Sequence, residues 1–165
     1  MSQSVKIATI LPYKENYTFQ KAQAAAIWVC DFFKYSKFKN TNYIFGNTKG
    51  NDYLTKNYIN ISINNLKSKF SSSTSEYCKN FIKKTKNNNF DIIEIHNRPL
   101  VFNYLKNEID SKYILYFHND PLSMNGSKSI NERLKLLDEL DKIIFVSKWV
   151  QNRFFEKLDD KLINK

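Results

Sequence analysis

Two segments concentrate the groups able to do chemistry: His96-Asn97-Arg98-Pro99, which follows the apolar run Asp91–Ile95, and His118-Asn119-Asp120-Pro121, which follows Tyr113–Phe117. Between them they hold both histidines of the chain. An imidazole can donate to a hydroxyl, exchange a proton near neutral pH or ligate a metal. His118 beside Asp120 reads as a polarised pair, the carboxylate orienting or charging the ring as in general acid–base systems. The alternative is an Asp120 that caps the turn before Pro121. Arg98 offers a planar fork matched to a phosphate or carboxylate, against the alternative of a solvated residue at a helix start. Two further segments are polar in the same way, Pro12-Tyr13-Lys14-Glu15-Asn16 after Val5–Leu11 and Ser147-Lys148 after Lys142–Val146. No metal is expected, because the histidines and Asp120 come without HxxxH, CxxC or clustered-carboxylate spacing.

These groups act together only if the elements carrying them bring their exits to one edge. Apolar runs of strand length alternate with helical periodicity along the chain, the pattern of a parallel sheet covered on both faces. Strands are expected at Val5–Leu11, Asn42–Phe45, Tyr58–Ile63, Asp91–Ile95, Tyr113–Phe117 and Lys142–Val146. Ile7–Leu11, Ile92–Ile95 and Ile143–Val146 are β-branched and nearly continuous in hydrophobicity, which predicts central positions. Ala22, Ala25, Ala26, Val29, Phe32 and Phe33 recur at three- and four-residue steps and predict a helix near Phe19–Lys37. Cys78, Phe81, Ile82 and Thr85 mark a second helix, opened by the capping-box spacing of Ser73 and Glu76. Pro99 starts a third, carrying Leu100, Val101, Tyr104 and Leu105, and Ile130, Leu134, Leu137 and Leu140 line a fourth. Ser147 caps a fifth with Trp149, Val150, Arg153, Phe154 and Leu158. In an open sheet of this kind, loops at the carboxyl ends of the strands face the ligand crevice. Every polar segment named above falls at such an end, and Pro12, Pro99 and Pro121 stiffen three of the exits.

A length of 165 residues, 42% of them hydrophobic and 15% aromatic, suits one globular domain. The 26 Lys and Arg against 16 Asp and Glu give a formal charge of +10. Lysine scattered along Asn-rich stretches supplies most of it, which reads first as a solvated surface and second as a field drawing an anionic partner. Cys30 and Cys78 fall on apolar helix faces, where a reduced thiol behaves as a small hydrophobe. With no apolar run long enough to span a bilayer and no signal-peptide layout, a cytoplasmic protein is expected. Gly46, Gly50 and Gly126 are the only glycines, so the GxGxxG fingerprint, the P-loop and the GxSxG elbow are all absent. Phe32, Phe33, Phe81 and Phe154 keep helical spacing and are expected in the core rather than on a base-stacking strand.

Taken in order, Asp91–Pro99, Tyr116–Leu122, Ser129–Leu134 and Asp141–Ser147 resemble the N-terminal domain of family 4 glycosyltransferases of the GT-B fold, particularly bacterial enzymes that build lipopolysaccharide, capsule or other surface polysaccharides. The resemblance extends over nearly the whole chain. It implies an α/β fold, a Rossmann-like three-layer sandwich with a mainly parallel sheet. It also implies a retaining transfer of sugar from a nucleotide-sugar to a glycan or lipid-linked acceptor, with no metal and no cofactor beyond that co-substrate. On this resemblance His118 lies near the transferred sugar, with Asp120 at the same reaction centre. His96, Asn97, Arg98 and Asn119 line the acceptor side, while Tyr13, Lys14, Asn16 and Ser147 approach the donor. The basic surface would help seat such an enzyme on an anionic membrane, and no nucleic acid is expected as partner. Two departures accompany the resemblance. Family members usually carry glycine in the loop entering the first helix, and Phe19–Ala24 has none. Residues 1–165 are expected as a single N-terminal domain without the C-terminal donor half, and slow or inactive alone. The competing reading is a noncatalytic basic α/β domain binding nucleic acid or anionic membrane, which a steep salt dependence would mark.

Overall fold

The computed structural model of the protein describes residues 4–63 and 72–159. Six strands form one sheet: β1 (Ile7–Ile10), β2 (Asn42–Gly46), β3 (Tyr58–Asn60), β4 (Ile92–His96), β5 (Lys112–Phe117) and β6 (Lys142–Phe145). Their order is β3-β2-β1-β4-β5-β6, and every neighbouring pair is parallel. The helices are α1 (Ala24–Tyr35), α2 (Ser73–Thr85), α3 (Pro99–Leu105), α4 (Ile130–Glu139) and α5 (Lys148–Phe155).

Side chains of a strand alternate between faces, so each strand feeds two layers. Ala8, Ile10, Ile93, Ile95, Leu115 and Phe117 leave one face and pack with Phe81 of α2, Phe102 of α3, Leu136 of α4 and Phe154 of α5. The opposite face carries Leu11 and Ile44 and is closed by Ala26, Val29 and Cys30 of α1. This is the three-layer sandwich expected, with a sheet wholly rather than mainly parallel. The chain steps outward from β1 to β3, then returns to β4 and steps the other way, so the reversal falls between β1 and β4. Adjacent loops diverge at such a reversal and leave a crevice at the carboxyl edge.

Several expectations are corrected. The Ile143–Val146 run is not central: β6 is an edge strand, with Lys142 exposed and Ile143, Ile144 and Phe145 only partly buried. Hydrophobicity reports covered faces, whereas strand order depends on where each crossover packs. The first helix begins at Ala24 instead of near Phe19, because the carbonyl of Thr18 takes the N–H groups of Lys21 and Ala22 in a turn and Thr18 pairs with Tyr53. Helix α2 is capped by Ser72, whose hydroxyl accepts from the Ser75 N–H, and the reciprocal capping box opens α4 instead, between Ser129 and Glu132. Helix α4 turns Arg133 and Leu136 inward and leaves Ile130 and Leu134 exposed. The Arg133 guanidinium donates to the carbonyls of Lys128 and Glu156, while Leu137 and Leu140 of the expected stripe do pack against the core. Phe81 and Phe154 are in the core, but Phe32 is 49% exposed. Cys30 and Cys78 are buried and unpaired, and burial pushes the Cys78 thiol up to about 12. Among the described residues no helix is long and apolar enough to cross a membrane.

Candidate functional site

The carboxyl ends of β4 and β5 meet through two histidines. His96 and Tyr116 are register partners, and their rings stack 4.6 Å apart at 3°. One residue beyond β5, the His118 Nε2 lies 2.8 Å from the His96 Nδ1. Trp28 of α1 closes over the group, its ring centroid 5.7 Å from His96, 5.4 Å from Tyr116 and 5.2 Å from His118. His96 is 1% exposed and its Nε2 has no hydrogen-bond partner among the described residues.

The protonation of this pair follows from counting donors. Burial, and then the neighbouring His118, push the His96 pKa well below the ordinary value, and burial lowers that of His118 as well. Both rings are therefore neutral near pH 7, each with one N–H. If His96 accepted from His118, its remaining N–H would be a buried donor with no acceptor. Donation from His96 Nδ1–H to His118 Nε2 leaves only a bare lone pair inside, the cheaper arrangement. It also puts the second proton of the pair on His118 Nδ1, which has no hydrogen bond among the described residues.

Beneath the pair lies a second polar layer that the sequence reading did not single out. Thr9 of β1 is in register with Glu94 of β4, and its hydroxyl is 2.7 Å from Glu94 Oε2 and 3.0 Å from Asn42 Oδ1. Tyr116 Oη donates to Glu94 Oε1 at 3.3 Å. Burial raises the Glu94 pKa and the two hydroxyls only partly offset it. The available signal was a carboxylate inside the continuous apolar run Ile92-Ile93-Glu94-Ile95.

Asn97 fixes the loop that carries His118. It adopts φ 53°, a left-handed conformation that Asn tolerates better than most residues. Its side-chain carbonyl accepts the backbone N–H groups of His118 at 2.7 Å and Asn119 at 3.2 Å. Imidazole and backbone of His118 are thus each anchored to the exit of β4.

A cavity of about 630 Å³ opens beside this pair at the crevice between the exits of β1 and β4. Of the residues expected in the site, Tyr13, Lys14, Asn97, Arg98 and Asn119 line it together. The rings of His96 and His118 lie outside its walls, under Trp28. Asn16 lines a neighbouring cavity of about 590 Å³, which shares Tyr13 and Lys14 with the first. Ser147 stands past the edge strand β6, outside both cavities, and its hydroxyl accepts from the Val150 N–H as the cap of α5. Asp120 is not hydrogen-bonded to His118. Its carboxylate takes the Leu122 N–H at 3.0 Å and an ion pair with Arg153 at 3.1 Å, tying the loop to α5. Burial alone would raise the Asp120 pKa, but the bonds from Arg153 and Leu122 prevail and hold it below the usual carboxylate value. The expected His118–Asp120 pair is therefore replaced by a His118–His96 pair, and Asp120 takes the turn-capping alternative. Among the described residues no group of three His, Cys, Asp or Glu could hold a metal ion.

A parallel six-stranded sheet in this order, layered by helices and opening a polar crevice where the order reverses, is a Rossmann-like α/β domain of the kind that makes up half of a GT-B glycosyltransferase. The particular likeness is to a sucrose-phosphate synthase from Thermosynechococcus elongatus, with a TM-score of 0.62 and 12% sequence identity over 92% of this chain. The chain spans 44% of the length of that enzyme. At that identity the likeness establishes a glycosyltransferase-like fold. No protein-family model and no curated protein matches the sequence.

Proposed function

We propose that this chain is the acceptor-side domain of a retaining glycosyltransferase, moving a sugar from a nucleotide-sugar to a glycan or lipid-linked acceptor in the synthesis of surface polysaccharide or lipopolysaccharide. The observation that carries the reading is the doubly anchored His118, held at the carboxyl edge by His96 Nδ1 and Asn97 Oδ1 in a fold shared with a glycosyltransferase. A neutral ring whose Nδ1–H makes no hydrogen bond among the described residues is a donor available to a sugar hydroxyl or to an oxygen gaining charge as the glycosidic bond breaks. Its lowered pKa disfavours imidazolium, so His118 acts by hydrogen bonding rather than as a cationic acid.

Asp120 and Arg153 hold the loop, and Tyr13, Lys14, Asn97, Arg98 and Asn119 face the substrate. Asn16 stands close enough to share the adjoining cavity, whereas Ser147 serves α5. A second Rossmann-like domain supplies the nucleotide-sugar site. No metal or resident cofactor enters the proposal, and the domain works in the cytoplasm, its lysines drawing it to the anionic inner face of the membrane. The test is sugar transfer reconstituted with the donor-binding half: His118→Ala should lower turnover about 100- to 1,000-fold, the loss typical of one transition-state donor, while far-UV circular dichroism is unchanged. Undiminished turnover in a folded variant removes His118 from the reaction.

A further inference from the structure

Among the described residues three cations line the cavity at the crevice, Lys14, Arg98 and Lys128. The Lys14 Nζ and the Arg98 guanidinium carbon each lie 5.7 Å from the centre of the Tyr13 ring, so two positive charges are gathered around one aromatic side chain. Among the described residues none of the three cations forms a salt bridge. Among the described residues Arg98 Nε is buried without a hydrogen bond, and the one bond of the guanidinium reaches the Asn97 carbonyl at 3.5 Å, the outer limit of such contacts. Among the described residues Glu15 is the sole carboxylate of the lining; it is 8% exposed and accepts the Ala26 N–H, so it is directed to α1.

Lys128 reaches this cavity because its loop is pressed onto the start of α3. Gly126 there has φ 94°, and a Cβ on it would lie 3.1 Å from the Leu100 nitrogen, so any other residue would be strained in backbone and tight against α3. Gathering like charges in one concavity without a counter-ion is unfavourable, and an anion between them removes the repulsion. The guanidinium selects the anion: a planar fork pairs with a tetrahedral oxyanion through two parallel bonds. At about 630 Å³ the space is far larger than one phosphate needs and matches a small-molecule site. The rest of the lining, including Gln23, Asn97, Asn119 and Asn125, offers amides suited to hydroxyl groups.

We infer that this cavity binds a phosphorylated, hydroxyl-rich small molecule, its phosphate held by Arg98 with Lys14 and Lys128 around it. Where the glycosyl-transfer reading holds, the glycan or lipid-linked acceptor then presents a phosphorylated sugar end rather than a neutral one. The anion site itself does not depend on that reading.

Calorimetric titration of the chain with a hexose 6-phosphate, the same hexose without phosphate and a nucleoside diphosphate tests the inference. The hexose phosphate should bind at least about 10-fold more tightly than the free hexose, the scale of one charge-assisted hydrogen bond. Arg98→Ala should weaken it by about 10-fold or more, Arg98→Lys by less, and raised salt should weaken it further. Lys128→Ala, at an exposed position whose loss leaves the fold intact, should weaken it several-fold, and Lys142→Ala, outside the cavity, not at all. Equal affinity for hexose and hexose phosphate, or affinity indifferent to both Arg98 and Lys128, overturns the inference. Tighter binding of the nucleoside diphosphate, with the same dependence on Arg98, overturns the acceptor assignment and gives the phosphate to the donor. Phosphate binding with no transfer in the reconstituted assay sinks the proposed function alone.

Discussion

Burial decides what the two imidazoles can do. His96 and His118 both have pKa values below the ordinary histidine range, His96 the more strongly, chiefly through loss of solvent. The unfolded chain protonates its histidines near about 6.5. Above that pH both states are neutral and the pair imposes no penalty. As pH falls from 6.5 toward the folded values, the unfolded chain takes up protons that the folded chain refuses, and stability declines. His96→Phe preserves a ring against Tyr116 and removes the titration, so urea midpoints should drop less between pH 7.5 and 5.5 than in the parent. An identical drop contradicts the assignment of a buried neutral His96. The positions of both histidines after strands were readable from local sequence. Their mutual hydrogen bond was not, because it joins residues 22 apart through the register of β4 with β5. The same holds for Asp120, whose natural partner in sequence was His118 but whose carboxylate is taken by Arg153, 33 residues on.

Helix α1 is closed at its start by a side chain from outside the helix. The N-terminal turn of a helix has unpaired N–H groups and attracts an anion, and in α1 no side chain of the cap residue Gln23 meets them. Glu15 does, with Oε1 accepting from the Ala26 N–H at 3.1 Å, so a carboxylate eleven residues back satisfies part of the first turn. Glu15→Ala should destabilise the protein by about 0.5–2 kcal/mol, the usual value of a lost cap, and Glu15→Gln by less because its carbonyl still accepts. Urea denaturation measures both, and a neutral Glu15→Ala would show that the cap carries no weight. The periodicity of Ala22–Phe33 correctly indicated a helix, but not its first turn, since the Thr18 turn and the Glu15 cap depend on contacts that periodicity does not contain. Trp28, which covers the histidine pair, reads in sequence as one more apolar residue of that helix.

At the scale of the whole molecule, the face opposite α1 is one continuous core. Phe154 of α5 is fully buried against Phe117 and Phe145 of the sheet, at centroid distances of 5.4 and 5.2 Å, and it belongs to the cluster that also holds α2, α3 and α4. Phe154→Ala should therefore cost about 3–5 kcal/mol and lower the denaturation midpoint. Tryptophan fluorescence and circular dichroism should report the same transition, and separate transitions would mean that α5 is an independent unit. The alternation of strands and helices, the placing of the polar exits and the apolar helix faces that bury Cys30 and Cys78 were all determined by local pattern, because residue spacing alone sets which face a side chain leaves. The order of the strands, the edge position of β6, the His96–His118 bond and the gathering of Lys14, Arg98 and Lys128 around one cavity were decided only by the tertiary structure. These relations join segments tens of residues apart through sheet register and helix packing, and no local pattern records which distant segments will become neighbours.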